Sequence, residues 1–176
     1  TLTPQLQPGD TTLVLLDLDN LKPINDTFGH LAGNRALCAV AAVLRGVPPV
    51  VARRMHAQCA GWLSARGGEP ARLARHWRLG GHPAEAALAF EQAATRAGQA
   101  SRRHEEAELL LQSAHAYADA GQPAQRFEAL AARVSALIVA KLDERALEEA
   151  RALPDAAQDD LQRVRAIRVI AELLGQ

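Results

Sequence analysis

Two acids two positions apart, Asp17 and Asp19, close an apolar run at residues 14–19. A polar loop carrying Lys22, Asn25 and Asp26 follows, and Gly29-His30 then opens a second apolar stretch. Carboxylates at the end of a strand can hold a divalent cation, and a lysine and an amide in the adjoining loop can meet phosphate and base edges. The layout suits a nucleotide with its metal ion; the plainer alternative is a strand that simply ends in solvent.

The elements around these residues must position them. Thr12 to Leu18 is apolar and β-prone, bounded by Pro8-Gly9 and by the polar loop, which predicts a buried strand. Leu31 to Arg45 predicts a helix, with Leu37, Val40, Ala41 and Leu44 at helical spacing. Gly46 stops it, and Pro48-Pro49 marks a boundary.

From Pro49 onward the pattern predicts helix after helix, near 49–65, 69–80, 83–98, 101–120, 123–141, 143–152 and 155–174. Gly80-Gly81-His82-Pro83 and Gly121-Gln122-Pro123 each combine a helix stop with Pro at the next start. Ser101 and Asp155 read as N-caps. Three apolar stripes stand out: Leu109, Leu110, Ala114, Tyr117 and Ala118; Phe127, Leu130, Val134, Leu137 and Ile138; Leu161, Val164, Ile167, Ile170, Ala171 and Leu174. Ala84, Ala93, Ala124 and Ala131 allow close backbone approach, and Trp62 and Trp77 are expected to pack a helical hairpin. Residues 60–141 resemble tetratricopeptide-like repeats, especially HWRLGGHPAEAALAFEQAATRA, although the period is irregular. The stretch WLSARGGEPARLARHW also resembles the hairpin opening such arrays in large bacterial ATPase-linked signalling regulators.

Composition narrows the function classes. The 176 residues carry 20 basic and 20 acidic side chains, with no basic stripe to serve as a nucleic-acid surface. Cys38 and Cys59 lack metal-site spacing and are expected to be buried, reduced thiols, which fits a cytosolic compartment. No apolar run reaches membrane-spanning length. The histidines 56, 76, 82, 104 and 115 form no metal pattern, and surface or packing roles are expected. The sequence starts at Thr1 and is expected to be a fragment.

The segment DLDNLKPINDTFGHLAGN resembles the opening of the diguanylate cyclase domain, named GGDEF after its signature, with Asp17, Asp19, Lys22, Ile24, Asn25, Asp26, Gly29, His30 and Gly33 in register. The resemblance implies a reaction in which two GTP molecules form cyclic di-GMP with Mg²⁺. It further implies that Asp17 and the backbone carbonyl of Leu18 hold metal, that Lys22 sits beside the phosphates, and that Asn25 and Asn34 face the guanine. Asn34 stands where the family has Asp; an amide offers one acceptor oxygen instead of two, at a cost of about 1–3 kcal/mol for a poorly met contact. Leu21 replaces Phe. The family's signature hairpin, some forty residues further on, is missing; Arg66-Gly67-Gly68-Glu69 is a partial echo, followed by Pro70 and flanked by helix formers, and reads better as an interhelical turn.

The expected fold is mainly α: a short β-α segment at 1–46, then an antiparallel helical-hairpin, tetratricopeptide-like array at 47–176. The expected function is a bacterial regulatory segment whose array binds a protein partner, carrying a degenerate, inactive cyclase remnant, with no cofactor assigned. The alternative is a working diguanylate cyclase with GTP and Mg²⁺. A homodimer is compatible with either; nucleic-acid and membrane partners are not expected.

Overall fold

The computed structural model describes residues 46–175. The predicted strand Thr12–Leu18 and helix Leu31–Arg45 lie outside them. The chain divides into two units, Thr1–Met55 and His56–Gln176, and the packing that follows is that of the second.

Among the described residues there are seven α-helices and no strand: α1 Pro49–Ala65, α2 Pro70–Gly80, α3 Pro83–Gln99, α4 Arg103–Asp119, α5 Pro123–Val139, α6 Asp143–Ala156 and α7 Asp160–Leu174. The fold is mainly α, as the periodicity implies. Proline opens α2, α3 and α5, where its missing N–H costs nothing and its fixed φ suits the first turn.

The helix ends reveal a regularity that residue types alone conceal. Gly81, Ser101, Gly121 and Lys141 all have positive φ, and they follow one another at intervals of 20 residues. At each, the next residue's N–H closes back on a carbonyl five residues earlier: His82 to Trp77, Arg102 to Ala97, Gln122 to Tyr117 and Leu142 to Leu137, at 2.9–3.0 Å. These are Schellman closures, which satisfy carbonyls that the helix leaves open. The period is therefore regular, contrary to the sequence expectation, because Ser101 and Lys141 fill positions where a glycine signal was sought. A hairpin of two helices spans 40 residues, longer than the tetratricopeptide unit of about 34.

Ser101 thus does not cap α4. It sits at φ 58 in the preceding turn, and Arg102 is the residue before the helix. Left-handed backbone costs a non-glycine residue about 1 kcal/mol. Ser101→Gly and Lys141→Gly are each expected to stabilise the array by about 0.5–1 kcal/mol, read as a higher urea midpoint.

Consecutive helices pack on one another, and the buried positions repeat with the same 20-residue step. Ala93, Ser113, Arg133 and Leu153 occupy equivalent, buried places in α3 to α6. Around them the core is built largely of alanine, with Phe90, Leu110, Tyr117, Phe127, Val134 and Leu137 as its larger members. Small side chains let the helices approach closely, and Ala93 serves this way, whereas Ala124 is exposed. Alternate helices lie side by side. Arg78 of α2 donates to Gln112 of α4 at 2.6 Å, Arg145 of α6 to Glu108 of α4 at 3.1 Å, and Arg165 of α7 to Glu128 of α5 at 2.7 and 3.0 Å.

Four further expectations are corrected. Asp155 lies inside α6, which runs through Pro154; the cap of α7 is Asp159, whose carboxylate accepts from the Gln162 N–H at 2.7 Å. Proline there has no N–H to give the Ala150 carbonyl, and α6 ends two residues later, at Ala156. Of the expected α7 stripe Ile170 packs on the core, but Leu161, Val164, Ile167, Ala171 and Leu174 are exposed; Gln162 and Ala166 are buried and Val169 and Leu173 pack on the core instead. Ala118 is exposed on α4, where Ala107, Ser113 and Ala116 are buried instead. Trp62 is 49% exposed beneath the Arg66 guanidinium, 4.2 Å from its ring; Trp77 packs against the core as expected.

Candidate functional site

The residues first singled out for chemistry, Asp17, Leu18, Lys22, Asn25 and Asn34, lie outside the described residues, as does Cys38. The partial signature echo does not. Gly67 takes φ +65, and the Gly68 N–H bonds the Leu63 carbonyl at 2.9 Å, closing α1. Both carboxylate oxygens of Glu69 are then occupied by the first turn of α2, accepting from the N–H groups of Ala71 at 2.9 Å and Arg72 at 2.7 Å. The stretch is an interhelical turn with an N-cap, as the surrounding helix formers imply, and Pro70 completes the start of α2. No strand flanks it: α1 and α2 stand on either side.

The polar chemistry of the array lies in its centre. Arg133 is only 1% exposed. Its guanidinium makes a two-pronged contact with Glu149 of α6, Nε to Oε2 at 2.5 Å and Nη2 to Oε1 at 2.8 Å, and its Nη1 donates to the Ala107 carbonyl of α4. Glu108 stands 3.6 Å away, and Arg145 joins both acids, 3.1 Å from Glu108 and 3.3 Å from Glu149. Burial opposes the Arg133 charge, but the Glu149 carboxylate and then Glu108 outweigh it, and the guanidinium is held above its ordinary range. The equivalent residue one helix earlier, Ser113, donates to the Ala87 carbonyl at 3.0 Å. The same geometry thus recurs, with a longer side chain, one step along the array.

Sequence reasoning missed Arg133 and Ser113. The signal was present: Arg133 interrupts the apolar stripe of Leu130, Val134 and Leu137, where a charge must find partners. Tyr117, another buried polar residue, is pushed up to about 12 by burial first and by the nearby Glu91 carboxylate second, so its phenol keeps its proton at neutral pH.

Two clefts open on the α2, α4, α6 side. One, of about 340 Å³, runs between α2 and α4, with Arg75, Arg78, Glu105, Glu108 and Gln112 on its walls and Phe90 at its floor. The next, of about 240 Å³, runs between α4 and α6, with Leu111, Val134, Glu149 and Leu153 among its lining. A third, of about 260 Å³, lies between α5 and α7 around Phe127, Ser135 and Arg165. The first presents acids and cations along an apolar base. Among the described residues no group of three or more His, Cys, Asp or Glu side chains could hold a metal ion. Nor is any helix among them long and apolar enough to cross a membrane.

Comparison with known proteins places the N-terminal segment. Residues 2–49 match the family described as diguanylate cyclase, GGDEF domain. A 37-residue stretch is 54% identical to diguanylate cyclase DgcP of Pseudomonas aeruginosa, covering 21% of this chain and 6% of that protein. No solved structure matches. The family match ends at residue 49, the residue that opens α1.

Proposed function

We propose that this chain is a regulatory segment linked to cyclic di-GMP signalling, in which a GGDEF-type stretch at residues 2–49 leads into a helical array that docks a protein partner. The observation that carries the non-catalytic reading is Glu69. In the position of the signature echo, its carboxylate caps α2 through both oxygens and stands in a turn between two helices instead of on a β-hairpin. Asp17 would then hold Mg²⁺ with few anionic partners, a weak arrangement for an ion that gives up its water reluctantly. Asn34 weakens guanine recognition further.

The docking face of the proposal is the α2, α4, α6 side, where two clefts follow one another along the array. A partner identified by cross-linking is expected to be lost when Arg78 and Gln112 are both replaced by Glu, which breaks the α2–α4 bridge and makes the first cleft acidic. Replacing Arg165, on the α5–α7 side, is expected to leave it bound. The opposite pattern would refute this face.

The second reading is a catalytic one, favoured by the 54% identity to a diguanylate cyclase over 37 residues. Under it, Asp17 and the Leu18 carbonyl hold Mg²⁺, Lys22 neutralises phosphate charge, and Asn25 and Asn34 orient guanine.

A further inference from the structure

His56 of α1 and His76 of α2 meet through their Nδ1 atoms at 3.0 Å, their rings 5.1 Å apart and tilted by 46°. Two imidazoles can share such a bond only if one donates and the other accepts, so at least one ring must be neutral with a free lone pair. When both are protonated there is no acceptor, and two like charges face each other at contact distance.

Among the described residues, the charges that bear on His76 are His56 from α1 and Arg72 from its own helix, with no carboxylate among them. Burial first, then these two neighbours, hold the His76 imidazole below its usual 6.5. Next to His56, Ala57 packs its backbone against Gly80, and Cys59 and Ala60 are buried. The histidine pair is a side-chain hydrogen bond between α1 and α2.

We propose that the His56–His76 pair is a pH-sensitive clasp that releases the C-terminal half of α1 from α2 in mildly acidic conditions. This half of α1 is continuous with the helix that starts where the GGDEF-type stretch ends. The clasp therefore controls how firmly this half of α1 is held to α2, and it stands whether or not the stretch is catalytic.

The sign follows from proton binding. The docked pair binds fewer protons than the released one, so docking is complete above 6.5 and weakens as pH falls below it. One proton difference per molecule limits the effect to about tenfold per pH unit.

Hydrogen exchange on the full chain tests this directly, with intrinsic rates corrected for pH. Between pH 7.5 and 5.5, protection of amides 57–64 is expected to fall by about three- to tenfold while that of α3 to α5 holds. His76→Asn and His56→Asn each place an amide where Nδ1 stood and cannot take the charge. Each is expected to remove most of the pH dependence, with circular dichroism confirming that the array is folded; either variant suffices if the other fails to fold. Unchanged α1 protection in the natural chain, an equal fall in α3 to α5, or the same fall in a folded Asn variant would overturn the proposal.

Discussion

Glu149→Ala is expected to destabilise the array by about 3–5 kcal/mol, the range measured when one member of a buried ion pair is removed. Arg133 would keep its charge at 1% exposure with its two-pronged partner gone. Glu108 is 53% exposed and 3.6 Å distant, so it cannot replace that contact fully. Arg133→Met is expected to cost less, because methionine fills part of the volume and the carboxylate left behind is 26% exposed and can hydrate. The double variant should fall well short of the sum of the two, a coupling of about 1–3 kcal/mol. Urea denaturation of the four proteins measures all of this. A loss from Glu149→Ala below about 1 kcal/mol, the ceiling for a surface pair, would mean that Arg133 is not buried as described.

The second large effect concerns Gly80. A Cβ there would lie 2.8 Å from the Ala57 nitrogen and 2.9 Å from its Cα, atoms of backbone that cannot swing aside. The whole of α1 would have to move. Gly80→Ala also brings a helix-propensity gain of up to about 1 kcal/mol. Overpacking against backbone typically costs about 1–3 kcal/mol, so the clash wins and a net loss of about 1–2 kcal/mol is expected, concentrated in α1 protection. Gly98→Ala makes an informative contrast. The atoms nearest its Cβ are the carboxylate end of Glu106, which can rotate away at the cost of its surface pair with Arg103, so the change should cost less than about 1 kcal/mol. A stabilised Gly80→Ala protein would show that α1 does not lie against α2 at this point.

Helix existence was legible because proline and glycine punctuate the chain where the physics of helix ends needs them, as at Gly81-His82-Pro83 and Gly121-Gln122-Pro123. Ser101 and Lys141 were not legible for the same reason reversed: the turn imposes left-handed backbone on residues whose own preference argues against it. The orientation of α7 was misjudged because the helix carries apolar residues on both faces. Periodicity alone cannot say which of Val164 or Val169 turns inward; packing on α6 decides it. The cap at Asp159 was displaced to Asp155 by an equally good capping residue four positions earlier. The place of Arg133 in an apolar stripe was legible, but its partner was not, since Glu149 lies sixteen residues away on another helix.

For the candidate site, the family resemblance was legible at once in DLDNLKPINDTFGHLAGN, since it rests on residue identities at fixed spacing, and the match to residues 2–49 agrees. The role of Glu69 needed coordinates. Only they show that the carboxylate after Gly67-Gly68 turns back onto the N–H groups of Ala71 and Arg72.

The central claim is that the GGDEF-type stretch does not make cyclic di-GMP in this chain and that the helical array is the working part. The measurement that tests it most directly is incubation of the chain with GTP and Mg²⁺, with product followed by liquid chromatography and mass spectrometry. The account predicts no cyclic di-GMP above the enzyme-free control. Product that forms with the natural chain and disappears with Asp17→Ala would contradict it.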